Sequence, residues 1–363
     1  MRILARLVLI LFASACGEPP PATLHVVVGD VVVTEVAPDV YAAIRQEPLG
    51  LAVNANSLFI VGDEGVVVVD AQFTRRATLE NLAALRQVTG KPVRYVVHTH
   101  WHDDHVAGAQ VYRDSFPGVR FLAHANTKRD MVALGRENRE QQVRYAPAAA
   151  DRFERLLAMG LGGDSTAVTR AEELALSSSV RIIREYVAET ADFVEILPET
   201  LDSGRTVLPL AGRSIELRWF GRGNTSGDLV VWLPRERILA TGDLVVWPVP
   251  FAFNSHPTEW TAVLDSIGAL EPAIVVPGHG PLMSDLKYVR MVQSMLHIAR
   301  EEVRSALRSG MSPDSVAAEL QLSDLRNEVA GDDKWMRTMF GMFFRRPVVG
   351  LLIEELSSRD VSP

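Results

Sequence analysis

A chain of 363 residues with 47% hydrophobic and 7% aromatic content is long enough to bury one large core or two smaller ones. Its formal net charge of −8, with no long run of lysine and arginine, excludes the basic footprint of a nucleic-acid-binding protein. Cys16 is the single cysteine, which excludes an intrachain disulfide.

The first segment reads as an export signal. Arg2 and Arg6 flank its start, Leu7 to Phe12 form an apolar run too short to span a bilayer, and the small residues Ala13, Ser14 and Ala15 precede Cys16. A lone cysteine at that point resembles the lipidation site of bacterial lipoproteins, although Ala13 stands where such signals usually carry leucine. The alternative is a plain secretory signal cleaved nearby. Residues 1–15 are thus expected to be a signal peptide, and residues 16–24, "CGEPPPATL", a polar tether outside the fold. The expected location is the periplasmic face of a bacterial membrane, as a lipoprotein anchored only through Cys16, or the periplasm itself.

Strands open the folded part. "LHVVVGDVVVTEVAPDVYAAI", "SLFIVGDEGVVVVDAQF" and "PVRYVVHT" are β-branched runs punctuated by Gly, Asp and Pro. Between the second and third, Arg76 to Thr89 carries Leu79, Leu82, Leu85 and Val88 at helical spacing. From Thr127 to about Asp192 the chain turns charged and helical, an insertion suited to a lid, to association or to a solvated face. Strands return in "RTVLPLAGRSIELRWF", "GDLVVWLP" and "RERILATGDLVV", and "PTEWTAVLDSIGAL" followed by "PAIVVPGHG" repeats the helix-then-strand order. The expected organisation is one domain over residues 25–283, then a helical region over 284–363 packed on it.

Where the third strand leaves its sheet, "VVHTHWHDDHVAG" crowds His98, His100, His102 and His105 around Asp103 and Asp104. Imidazole nitrogens and carboxylate oxygens are the usual donors to zinc, and residues i and i+2 of an extended segment point to one side. A frame starting at His98 would need a carboxylate at position 102; one starting at His100 places His100, His102, Asp104 and His105 with nothing out of place. His98 is then expected behind the ligands, as a strand-end residue.

"HWHDDH" resembles the His-x-His-x-Asp-His signature of the metallo-β-lactamase superfamily, and the similarity extends from about Val31 to Leu282 apart from the helical insertion. The resemblance implies an α/β fold, an αββα sandwich of two mixed sheets with a two-metal site on one rim. It implies that Asp243 of "ATGDLV" bridges the metals and that His279 of "VVPGHG" completes the second site. In "FGRGNTSGDLVVWLP" the superfamily normally offers a third histidine to the first metal, and this sequence has Asn224. An amide oxygen is a neutral and weaker donor to zinc, so Asn224 is expected as a weak ligand or a supporting residue, with lower occupancy of the first site.

One or two zinc ions, or another divalent metal, are the implied cofactor. A bound ion lowers the pKa of its water from 15.7 towards about 7, so hydroxide forms at neutral pH, and Asp104 can orient it and shuttle a proton. The expected activity is hydrolysis of an amide, lactam, ester or thioester of a small molecule. The alternatives are a β-lactamase in the strict sense and, from another class, a metal-binding lipoprotein without catalysis. Trp101, Trp247, Phe251 and Phe253 are candidates for an apolar pocket, each equally able to be core. His124 is expected as a buried strand-end residue and His256 at a helix start, while His25 and His297 carry no motif.

Overall fold

The computed structural model describes residues 25–210 and 212–359, so the signal segment, the tether and Cys16 lie outside the described residues. The first sheet has eight strands in sequence order: β1 (His25–Val28), β2 (Val31–Ala37), β3 (Val40–Arg45), β4 (Ser57–Val61), β5 (Val66–Val69), β6 (Val93–Val97), β7 (Arg120–His124) and β8 (Glu199–Leu201). β1 to β5 form an antiparallel meander, and β5 to β8 run parallel. The second sheet contains β9 (Arg205–Leu210), β10 (Arg213–Trp219), β11 (Leu229–Leu233), β12 (Ile238–Val246) and β13 (Ile274–His279), ordered β13-β12-β11-β10-β9. Only β12 and β13 pair in parallel there.

The alternation of side chains along each strand builds the layers. In β4 and β5, Leu58, Ile60, Val67 and Val69 face the second sheet and meet Ile215, Leu217, Val231 and Ala240. Phe59, Val61, Val66 and Val68 face the other way, onto Leu82, Leu85 and Tyr112. Strands covered on both faces read as unbroken apolar runs, which is the pattern of "VVVV". Leu82 and Leu85 belong to the helix Arg75–Val88, whose N-cap Thr74 accepts a hydrogen bond from the Ala77 amide. The outer face of the second sheet is covered by the helices Pro257–Ala269 and Lys287–Arg308 and by the helical C-terminal region. Two mixed sheets between helical layers match the expected αββα sandwich.

Helices begin directly after β7 at Ala125 and culminate in the long pair Arg136–Ala158 and Arg170–Glu189, the second opened by a capping box of Thr169 and Glu172. The chain then re-enters the first sheet through β8, three residues too short to show a pattern in the sequence. Among the described residues no helix is long and apolar enough to cross a membrane.

Candidate metal centre

β6 ends at Val97, and the chain bends at Thr99 to Trp101 before reaching His102, the N-cap of the short helix Asp103–Val106. Asp243 lies inside β12, where the register against β13 breaks on both sides of Gly242. That irregularity turns the carboxylate towards the rim. His279 closes β13. Gly278 keeps the space clear, since a Cβ there would stand 2.1 Å from Asp243 Oδ1.

The expected donors converge as two groups that share Asp243. His100, His102 and Asp243 form one, and Asp104, His105, Asp243 and His279 the other, with the donor atoms of each group within 4.8 Å of one another. Asp243 Oδ2 is 3.7 Å from His100 Nε2, while its Oδ1 is 3.1 Å from His105 Nε2 and 3.5 Å from His279 Nε2. One carboxylate therefore faces both groups with different oxygens. Asp104 Oδ2 stands 2.9 Å from His279 Nε2 and 3.3 Å from His105 Nε2.

The donor set fits a metal ion on its own chemistry. His105 Nε2, His279 Nε2 and Asp243 Oδ1 are buried, make no hydrogen bond of good geometry and face one another and Asp104 at ion-pair distance, an arrangement that a cation among them would satisfy. The opposite nitrogens are held from behind. His105 Nδ1 donates to Asp70 Oδ2 at 2.7 Å, His100 Nδ1 meets Thr99 Oγ1 at 3.0 Å, and His102 Nε2 meets Asn254 Oδ1 at 3.2 Å. This leaves His105 Nε2, His100 Nε2 and His102 Nδ1 turned inward. Asp70 also accepts from the Thr99 amide and hydroxyl at 2.7 and 2.8 Å, tying the motif to the end of β5. Burial and the neighbouring His105 hold the His100 imidazole well below its usual pKa, so it stays in the neutral, ligating form. Burial would raise Asp104, but His105 and His279 outweigh it and hold the carboxyl well below the usual range.

Asn224 is fully buried on the loop between β10 and β11. Its amide nitrogen donates to the Phe251 carbonyl, and its Oδ1 has no hydrogen-bond partner, the state of a free oxygen donor. Asp228 shapes that loop by accepting from the Gly223 and Thr225 amides and the Thr225 hydroxyl. His98 belongs to neither donor group. Its buried ring lies against Phe121 at 5.8 Å, and burial lowers its pKa to about 4. His124 stacks on Trp219 at 4.6 Å and caps the helix that follows it, and His256 is the N-cap of the helix Pro257–Ala269.

A cleft of about 390 Å³ opens over the centre, with His102, Asp104 and Asp243 on its floor. Phe251 and Phe253 line it, as the sequence suggested. Trp101 and Trp247 do not. Trp101 is buried with Val106 and Met131. Trp247 lies beside a separate hollow with Arg45 and Asn56, carried there by the β12 end as it passes His279. Sequence reasoning missed Asp70, Asn254, Phe73, Tyr186 and Phe343, which come from elements far apart in the chain and carry no local motif.

Two sheets presenting six imidazole and carboxylate donors on one rim, in two groups that could each hold a metal ion, define the class as an αββα protein with a candidate metal centre. The family model of the metallo-beta-lactamase superfamily matches residues 50–279, and the chain belongs to that superfamily. A linear primary-alkylsulfatase of Pseudomonas sp. (strain ATCC 19151) is 23% identical over 305 residues, covering 78% of this chain, which spans about half (52%) of that relative. A type 2 metallo-beta-lactamase of Bacillus cereus is 23% identical over 239 residues, covering 64% of this chain and 69% of the relative. Among solved structures, a metallo-beta-lactamase from Pontibacter korlensis shares the fold with a TM-score of 0.52 at 19% identity, over 74% of this chain and 99% of its own.

Proposed function

We propose that this protein is a metal-dependent hydrolase of a small organic molecule, cleaving an amide, lactam, ester or thioester, with zinc as the metal best suited to its imidazole and carboxylate donors. The observation that carries the reading is the convergence of imidazole and carboxylate donor atoms, within 4.8 Å of one another in each group, beneath an open cleft. Membership of the superfamily and the hydrolase names of the curated relatives support it. His100, His102 and Asp243 would hold one ion, with Asn224 Oδ1 as a weak further donor, and Asp104, His105, Asp243 and His279 the other. A divalent ion there acidifies water and polarises the oxygen of the bond to be cleaved.

The remaining work falls to the chain. The Asp104 side chain is 20% exposed and Asp243 only 1%, so Asp104 is the carboxylate open to the cleft. It can hold the attacking water and pass its proton to the leaving group. Asp70 and Asn254 fix the ring orientations of His105 and His102 before substrate arrives. Dialysis against a chelator should abolish hydrolysis in a screen of amides, lactams, esters and thioesters, and added zinc should restore it. Hydrolysis that persists in metal-free protein would contradict the reading.

The amino-terminal residues support export and anchoring through Cys16. On that reading Cys16→Ser moves the protein from the membrane fraction to the soluble one, because an acyl chain contributes about 0.8 kcal/mol per buried CH₂. Unchanged membrane association would remove the lipid anchor from the account.

A further inference from the structure

The walls of the cleft differ in kind from its floor. Ile183 and Tyr186 come from the helix Arg170–Glu189, Val53 and Phe73 from segments flanking β4 and β5, and Phe251 and Phe343 from beyond β12 and from the helical C-terminal region. The aromatic rings pack as a lining: Phe73 stacks on Tyr186 at 4.1 Å, and Phe343 meets Phe251 at 4.5 Å and Phe253 at 5.5 Å. Tyr186 satisfies its polar end by donating its hydroxyl to Asp103.

Among the described residues no lysine or arginine lines this cleft, and its amide groups are those of Asn138, Gln142 and Asn254. Arg139, which reaches the lining residue Asp103, is committed there by hydrogen bonds of 2.7 and 3.2 Å and lies 3.8 Å over the Phe193 ring. Arg129 and Arg222 border a separate hollow that also touches Phe253, where they pair with Asp130 and Glu259. A carboxylate on the non-reacting part of a substrate would meet apolar rings and no cation, and burying it there is costly.

Resting on the hydrolase reading, we infer that the cleft selects substrates whose non-reacting part is an uncharged apolar chain or ring, and disfavours molecules whose non-reacting part carries a free carboxylate, as a strict β-lactamase substrate with a free acid group would. Each methylene that enters the slot should raise kcat/KM by up to about fourfold until the slot is full.

The test uses zinc-reconstituted protein with p-nitrophenyl esters from acetate to octanoate and the ω-carboxylate counterparts of the longer ones. The expected result is a rise in kcat/KM with length that then levels, with each ω-carboxylate ester at least about tenfold below its neutral counterpart. Gln142→Lys, which places a cation on the wall from a partly exposed position, should narrow that gap. Calorimetric titration of the metal-free protein with hexanamide and with adipamic acid reads the cleft independently of catalysis. Hexanamide should bind with a negative heat-capacity change and adipamic acid at least about tenfold more weakly. Equal binding of the two, or rates indifferent to length and charge, overturns the inference. If no ester, thioester, amide or lactam is hydrolysed but hexanamide is still preferred, the hydrolase reading fails and the apolar selectivity of the cleft stands.

Discussion

Asn224, buried with its Oδ1 free of hydrogen bonds, is proposed as a weak donor to the first metal position. The Phe251 carbonyl already fixes its side chain, and an imidazole at this place can keep that hydrogen bond with one nitrogen and offer the other to the metal. Asn224→His should therefore tighten zinc binding at the first position by about tenfold or more, read by chelator competition. Unchanged affinity would show that position 224 does not face the ion. The ligands in "HWHDDH" are legible because imidazoles and carboxylates crowd together at one strand end, although the chain brings them together through a bend and the short helix Asp103–Val106 and not through one extended segment. Asp243 and His279 are legible only through their family motifs, since a single Asp or His at an apolar strand has many uses. Asp70 and Asn254 were not legible, because they act through hydrogen bonds to His105 and His102 that exist only once β5 and the 247–256 segment are brought to the rim.

At the scale of elements, the helical insertion is locked to the metal motif by one buried cluster. Asp103, 3% exposed, accepts two hydrogen bonds from Arg139 on the helix Arg136–Ala158 and one from Tyr186 on the helix Arg170–Glu189. Arg139→Ala leaves a buried carboxylate with only the tyrosine hydroxyl and should cost about 3–5 kcal/mol. Tyr186→Phe removes a single hydrogen bond and should cost about 1–3 kcal/mol. Because Asp103 adjoins Asp104, both variants should also release zinc faster to a chelator than wild type does. Urea denaturation and stopped-flow chelation read the two effects, and wild-type values in both would show that the insertion is not coupled to the site. The helical period of the insertion is visible in the sequence, but its docking is not. Arg139 sits among other charges that do face solvent, and nothing local marks it as the buried one.

For the whole molecule, the sandwich is legible because its central strands are covered on both faces, so their apolar runs stand out from the alternating pattern of a half-exposed sheet. The helical C-terminal region is legible as helix, but the part its Phe343 plays in the cleft is not. That residue reaches Phe251 across more than ninety positions, and only the packing of the region on the second sheet brings them together. The hydrolase reading requires that the rim of this sandwich would hold two metal ions, with Asp243 shared between their donor groups. The most direct test is anomalous X-ray scattering at the zinc edge from crystals of zinc-loaded protein. The account predicts two peaks roughly 3.5 to 4 Å apart, one beside His100 and His102 and the other among Asp104, His105 and His279, with Asp243 between them. Zinc bound elsewhere on the molecule, with these donors left unliganded, would contradict it.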